Sequence, residues 1–139
     1  MLKILFLCTG NSCRSQMAEG FARALRRNEV DAHSAGVESH GLNPNAVKVM
    51  AEAGIDIRQH RSKLVDEFAG VAFDYVVTVC DDAQEECPVS PGSAVGHVPF
   101  DDPPRLALNE SSEEARLRHY RRVRDEIRAF VLQLPDNLD

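Results

Sequence analysis

Four cysteines, Cys8, Cys13, Cys80 and Cys87, are the residues of this chain best suited to chemistry, as nucleophiles, metal ligands or redox pairs. The first opens the run Cys8-Thr9-Gly10-Asn11-Ser12-Cys13-Arg14-Ser15. A loop set directly after a strand and directly before a helix turns successive backbone N–H groups toward one point, a nest for a tetrahedral oxyanion. Arg14 adds a planar fork of donors for two oxygens of that anion, and Gly10 is expected to permit backbone conformations that a side chain would obstruct. The same positive surroundings favour the Cys8 thiolate, the nucleophilic form, and Ser15 brings a hydroxyl close to it. Thr9, Gly10, Asn11, Ser12, Cys13, Arg14 and Ser15 are therefore the candidate anion-binding residues. The Cys13 side chain is expected to point outward and is read as structural.

The elements that must position this loop follow from periodicity. Leu2, Ile4, Leu5, Phe6 and Leu7 form a nearly continuous apolar run, the pattern of a strand covered on both faces. Met17, Phe21, Ala24 and Leu25 then recur at helical spacing. A short strand is expected at Ala32 to Ala35, ending at Gly36, and a helix over Ala46 to Ala53 with Pro44 in its first turn and Gly54 closing it. The β-branched and aromatic stretch from Phe73 to Val79 reads as a buried strand that delivers Cys80 at its C-terminal end. Ala94 to Val98 makes a last strand, and Asp101-Asp102-Pro103-Pro104 is expected to be a loop. Ser111 with Glu114 carries a capping-box pattern ahead of a long helix whose apolar stripe is Leu117, Tyr120, Val123, Ile127, Val131 and Leu134. Alternation of this kind implies one α/β domain over 1–139, a three-layer sandwich with a four-stranded parallel sheet flanked by helices. Its ligands should bind outside the C-terminal strand ends, where Cys8 and Cys80 both fall.

The formal net charge of −6 argues against a nucleic-acid or anionic-membrane partner, which such a chain would repel at long range. No apolar stretch is long enough to span a bilayer, and Leu2 to Leu7 is too short for the core of a signal peptide. A cytoplasmic monomer is expected. There, thiols serve redox or metal chemistry more often than permanent disulfides. A structural zinc is disfavoured, because neither Cys8/Cys13 nor Cys80/Cys87 has the two-residue spacing of compact zinc knuckles and Arg14 would repel the cation. The five histidines show no ligand spacing and receive no role, and the arginines from Arg116 to Arg128 read as a solvated helix face.

The run from Cys8 to Glu19, with Ser34-Ala35-Gly36, Asp101-Asp102-Pro103 and Val77-Thr78-Val79-Cys80 followed by Cys87-Pro88, resembles the low-molecular-weight tyrosine phosphatase fold family and, within it, the thioredoxin-coupled arsenate reductases. The resemblance spans nearly the whole chain. It implies that Cys8 attacks arsenate to form an adduct and that Cys80 attacks Cys8 to release arsenite. Cys87 then takes the disulfide over from Cys80, and thioredoxin reduces the Cys80–Cys87 pair. It also implies that Asp102 is the general acid. A phosphatase acting through a Cys8 phosphoenzyme is the alternative, and it leaves Cys80 and Cys87 without a task. A non-catalytic arsenite sensor is a third reading, with no DNA-reading module to accompany it.

Two departures from the family pattern matter. Several such reductases hold potassium with equivalents of Asn11 and Glu19 and with an acidic residue after the second helix. Here that later segment reads His60-Arg61-Ser62-Lys63, so no potassium requirement is expected, the Lys63 ammonium taking the ion's place. The His60 to Lys63 segment is also the more phosphatase-like one, which keeps residual phosphatase activity open. The loop after Asp102, Pro103-Pro104-Arg105, lacks the aromatic residues with which many of the phosphatases stack on a tyrosine ring, and this favours a small inorganic substrate.

Overall fold

A computed structural model describes residues 1–79 and 94–138. Cys80 and Cys87 lie outside the described residues. Four strands, β1 (Leu2–Cys8), β2 (Val30–Gly36), β3 (Tyr75–Thr78) and β4 (Ala94–His97), form one parallel sheet in the order β2-β1-β3-β4. The helices are α1 (Arg14–Leu25), α2 (Pro44–Glu52), α3 (Pro103–Ala107) and α4 (Glu113–Leu132), with a 3-10 turn at Val65–Phe68. β1 is central, pairing Leu2 with Val30 on one side and Ile4 with Tyr75 on the other, which is why its sequence is apolar at successive positions. Chain order reverses across β1, so its C-terminal end, carrying Cys8, opens at the topological switch point.

Alternate residues of β1 feed two cores. Ile4 and Phe6 meet Met17 and Phe21 of α1, Val49 and Met50 of α2, and Val123, Ile127 and Val131 of α4. Leu5 and Leu7 face the other way, against Phe73 and Val76, with Val65 and Phe68 of the 3-10 turn laid over them. Each large side chain buried here contributes about 1.5–3 kcal/mol. Among the described residues the second covering layer is thus a single short turn. Gly20 of α1 lets Ile57 approach, since a Cβ there would lie 2.8 Å from Ile57 Cγ2.

The structure moves several boundaries. β2 starts two residues before Ala32, because the strand follows its pairing with β1 back to Val30. β3 is shorter than Phe73–Val79, ending at Thr78 where its pairing with β4 ends. The expected loop at 101–104 holds for Asp101 and Asp102 but not for the prolines, which open α3: Asp102 is its N-cap and Pro103 its first residue, a position where the missing N–H has no helical partner to lose. The cap of α4 is Ser112, not Ser111; its Oγ accepts from the Ala115 amide at 3.1 Å. Glu114 does not reach back in a capping box and binds Arg121 at 2.6 Å. The apolar stripe of α4 is buried as expected, including Leu134 beyond the helix.

Candidate active site

The loop after β1 is built around Asn11. Its backbone is left-handed (φ 47°), a conformation that Asn tolerates better than most residues. Its buried amide Nδ2 donates to Ser15 Oγ at 2.9 Å and to Ser34 Oγ at 3.0 Å. Its Oδ1 accepts from Gln16 Nε2 at 2.9 Å and from the Lys63 amide at 2.7 Å. The positive φ that tight loops need is therefore supplied by Asn11, not by Gly10. Gly10 gives the His40 ring its room: a Cβ there would lie 2.2 Å from His40 Nδ1 and push that half-exposed ring aside. Gly36 is required for space, since a Cβ at that position would come within 2.8 Å of backbone atoms of Glu38, Asn11 and Thr9.

Cys8 lies at the base of a cavity of about 240 Å³, also lined by Gly10, Arg14, His40, Asp102 and Pro104. Its Sγ is 2.8 Å from Ser15 Oγ, so the hydroxyl expected near the nucleophile is in place. Asn43 caps α2 and Ser112 caps α4, whereas α1 has no side-chain cap and no acid in its first turn. Its first amides are left to the loop and to whatever the cavity holds. Arg14 donates through Nη1 to the Phe100 carbonyl at 2.9 Å, and its Nη2 lies 3.4 Å from Asp102 Oδ1. Thiol, guanidinium and carboxyl group thus border one cavity. Cys13 also lines the cavity but is 4% exposed, and burial pushes its thiol up to about 12, against the opposing pull of Arg14. It stays protonated at neutral pH, in keeping with a structural part.

Behind the loop, Glu19 is buried and answered by cations: Arg23 Nε at 2.7 Å and Lys63 Nζ at 3.6 Å, with Ser34 Oγ donating to its Oε1. Burial lowers the Lys63 pKa, and Glu19 acts in the other direction. Gln16 passes the network outward: its Oε1 accepts from His60 Nδ1 at 3.0 Å, which fixes the proton of neutral His60 on Nδ1. Burial lowers the His60 pKa. The loop is held from its other side by Asn43, whose amide donates to the Ser12 carbonyl at 2.9 Å while its Nδ2 donates to Tyr120 Oη at 3.2 Å. Of the predicted residues, Cys8, Thr9, Gly10, Ser12, Cys13, Arg14 and Asp102 meet on the cavity, and Asn11 and Ser15 stand behind it. Sequence reasoning misses His40, because a lone histidine in a loop has no spacing to mark it. Among the described residues no cluster of His, Cys, Asp or Glu is arranged to hold a metal ion, and no helix is long and apolar enough to cross a membrane.

A thiol at a strand end, an arginine at the start of α1 and an acid beside that arginine line one cavity, an arrangement suited to a cysteine-dependent enzyme. The chain belongs to the family of low molecular weight phosphotyrosine protein phosphatases, whose model matches residues 3–139. Within that family it is similar to the arsenate reductase of Bacillus licheniformis, at 51% identity over 125 residues, 89% of this chain and 88% of that one. Its fold matches that of an arsenate reductase in the phosphate binding state at a TM-score of 0.77 and 31% identity, with both chains covered in full. It also matches the low molecular weight protein tyrosine phosphatase from T. tengcongensis at a TM-score of 0.78 and 26% identity, covering 99% of this chain and 100% of that one.

Proposed function

We propose that this enzyme reduces arsenate to arsenite through Cys8, Cys80 and Cys87. The observation that carries the reading is the cavity itself: Cys8 Sγ beside Ser15 Oγ at its base, Arg14 and Asp102 on its wall, and no phenylalanine or tyrosine among its described lining residues. Such a site suits a small tetrahedral oxyanion. The Cys8 thiolate attacks arsenic, an As–O bond breaks, and Asp102 protonates the departing hydroxide to water. Cys80 then attacks Cys8 Sγ. A disulfide forms, the As–S bond breaks, and its electron pair stays on arsenic, which leaves as arsenite. Cys87 attacks Cys80 and frees Cys8, and thioredoxin reduces the resulting Cys80–Cys87 disulfide, the enzyme working as a cytoplasmic monomer. The names of relatives near 50% identity support this assignment.

No potassium is required on this reading, which Lys63 supports: its ammonium already supplies positive charge 3.6 Å from Glu19 Oε1. The test is arsenate-dependent NADPH oxidation with thioredoxin and thioredoxin reductase, comparing the intact protein with Cys8→Ser, Cys80→Ser and Cys87→Ser. Loss of turnover in all three, with Cys87→Ser accumulating a Cys8–Cys80 disulfide, is the expected result. Hydrolysis of an aryl phosphate that survives loss of Cys80 and Cys87, with no arsenate turnover by the intact protein, would make the enzyme a phosphatase.

A further inference from the structure

His40 stands at the mouth of the cavity, held there by several contacts. The segment after β2 is tied to the loop after β1 by three backbone bonds, from Val37 to the Cys8 carbonyl at 3.3 Å, from Glu38 to Thr9 at 2.8 Å and from His40 to Gly10 at 3.0 Å. His40 Nε2 meets Glu38 Oε1 at 2.6 Å. Its Nδ1 edge lies over Gly10, in the space that a side chain at that position would fill. Both members of the pair are more than half exposed, so the contact itself adds little stability.

The charge on the cavity wall shows what this arrangement does. Arg14 is the one permanent cation among the described lining residues, and its guanidinium is partly engaged already, donating to the Phe100 carbonyl at 2.9 Å and lying 3.4 Å from Asp102 Oδ1. The Arg14 fork is therefore only partly free for an anion. An incoming dianion then depends on backbone donors and on the one further described lining group that can become cationic, His40. In the neutral tautomer that gives its Nε2 proton to Glu38, the Nδ1 lone pair faces Gly10 and repels an anion's oxygen. In the imidazolium, Nδ1–H is a charge-assisted donor beside Gly10, among the residues that line the cavity, while Nε2–H keeps Glu38.

Resting on the oxyanion reading above, we propose that His40, oriented by Glu38, is an anion-recognition residue of this site, and that oxyanion binding is accompanied by protonation of its Nδ1. Among the described residues, the titratable and charged groups around it are Glu38 from its own segment and Cys8, Arg14 and Asp102 of the cavity lining.

The experiment uses inorganic phosphate, which binds without being reduced, and titrates it calorimetrically into the intact protein, His40→Gln and Glu38→Gln at pH 6 and pH 8.5. Buffers of different ionisation enthalpy report the protons taken up. His40→Gln is expected to bind phosphate about tenfold more weakly than the intact protein at pH 6, with less than about a twofold difference at pH 8.5. It should also take up fewer protons on binding. Glu38→Gln, which keeps the shape of the pair, is expected to move the loss of affinity to lower pH. Equal proton uptake by the intact protein and His40→Gln, or an affinity ratio that does not change with pH, would overturn the proposal while leaving the cavity as the anion site. No phosphate binding by the intact protein at either pH would overturn both.

Discussion

Truncating Asn11 tests the account of the loop most directly. Asn11→Ala removes donors to Ser15 and Ser34 and acceptors for Gln16 and the Lys63 amide. Gln16 Nε2 keeps the carbonyls of Asn11 and Arg61, and Ser34 keeps Glu19, so those groups stay partnered. The Lys63 amide loses its acceptor. At about 0.5–1.5 kcal/mol per bond, the four come to roughly 2–6 kcal/mol. Holding alanine at a left-handed φ of 47° costs about 1 kcal/mol more than asparagine. The expected loss is about 3–7 kcal/mol, a large share of the roughly 5–15 kcal/mol of a typical domain. The chain has no tryptophan, so urea unfolding is followed by far-ultraviolet circular dichroism. Asn11→Gly separates the backbone part, because glycine adopts this φ freely and should recover about 1 kcal/mol relative to alanine. A loss below about 1 kcal/mol for Asn11→Ala, or a glycine variant less stable than the alanine one, would refute the reasoning.

Gly36→Ala places a methyl 2.6 Å from the Glu38 carbonyl oxygen and 2.8 Å from two atoms of the anion loop, all backbone; it should cost about 1–3 kcal/mol and weaken phosphate binding, both read by calorimetry. Cys13→Ala should retain most arsenate turnover, and in the intact protein Cys13 should resist iodoacetamide at pH 8 by mass spectrometry, because its thiol titrates only at about 12. His60 is depressed below its ordinary value of 6.5, so the unfolded chain binds its proton more readily than the folded one and stability falls as pH drops through that value toward the folded pKa. His60→Gln keeps a donor for Gln16, and its stability should fall less than that of the intact protein between pH 7 and pH 5 in denaturant titrations.

The sheet, its four strands and the helices α1, α2 and α4 are legible in the sequence because burial on one or two faces leaves a period there. The Cys8 loop is legible because its chemistry demands a thiol, a glycine and an arginine in close succession. What escapes are features set by tertiary approach. The left-handed residue is Asn11 because four partners from three segments hold it, and Gly10 matters because His40 arrives from a different part of the chain. Asp102 is plainly a residue before proline, but whether that proline ends a ladder or begins a helix depends on the geometry leaving β4. The Lys63 expectation rests on the family resemblance, which pairs the Glu19 position with the segment after α2; Lys63 Nζ lies 3.6 Å from Glu19 Oε1.

The position of β1 in the middle of the sheet has a consequence for how the enzyme is made. Its partner Tyr75 and the helix α4 that seals its apolar face come much later in the chain. Arg14 finds Phe100 and Asp102 only then. At translation rates of about 5–20 residues per second, Cys8 spends on the order of 5–20 s on the ribosome before the walls of its cavity exist. During that interval it lies beside an apolar strand that still lacks its β3 partner and its α4 cover, open to oxidants and to neighbouring chains. A stress that oxidises thiols would therefore injure newly synthesised molecules before finished ones.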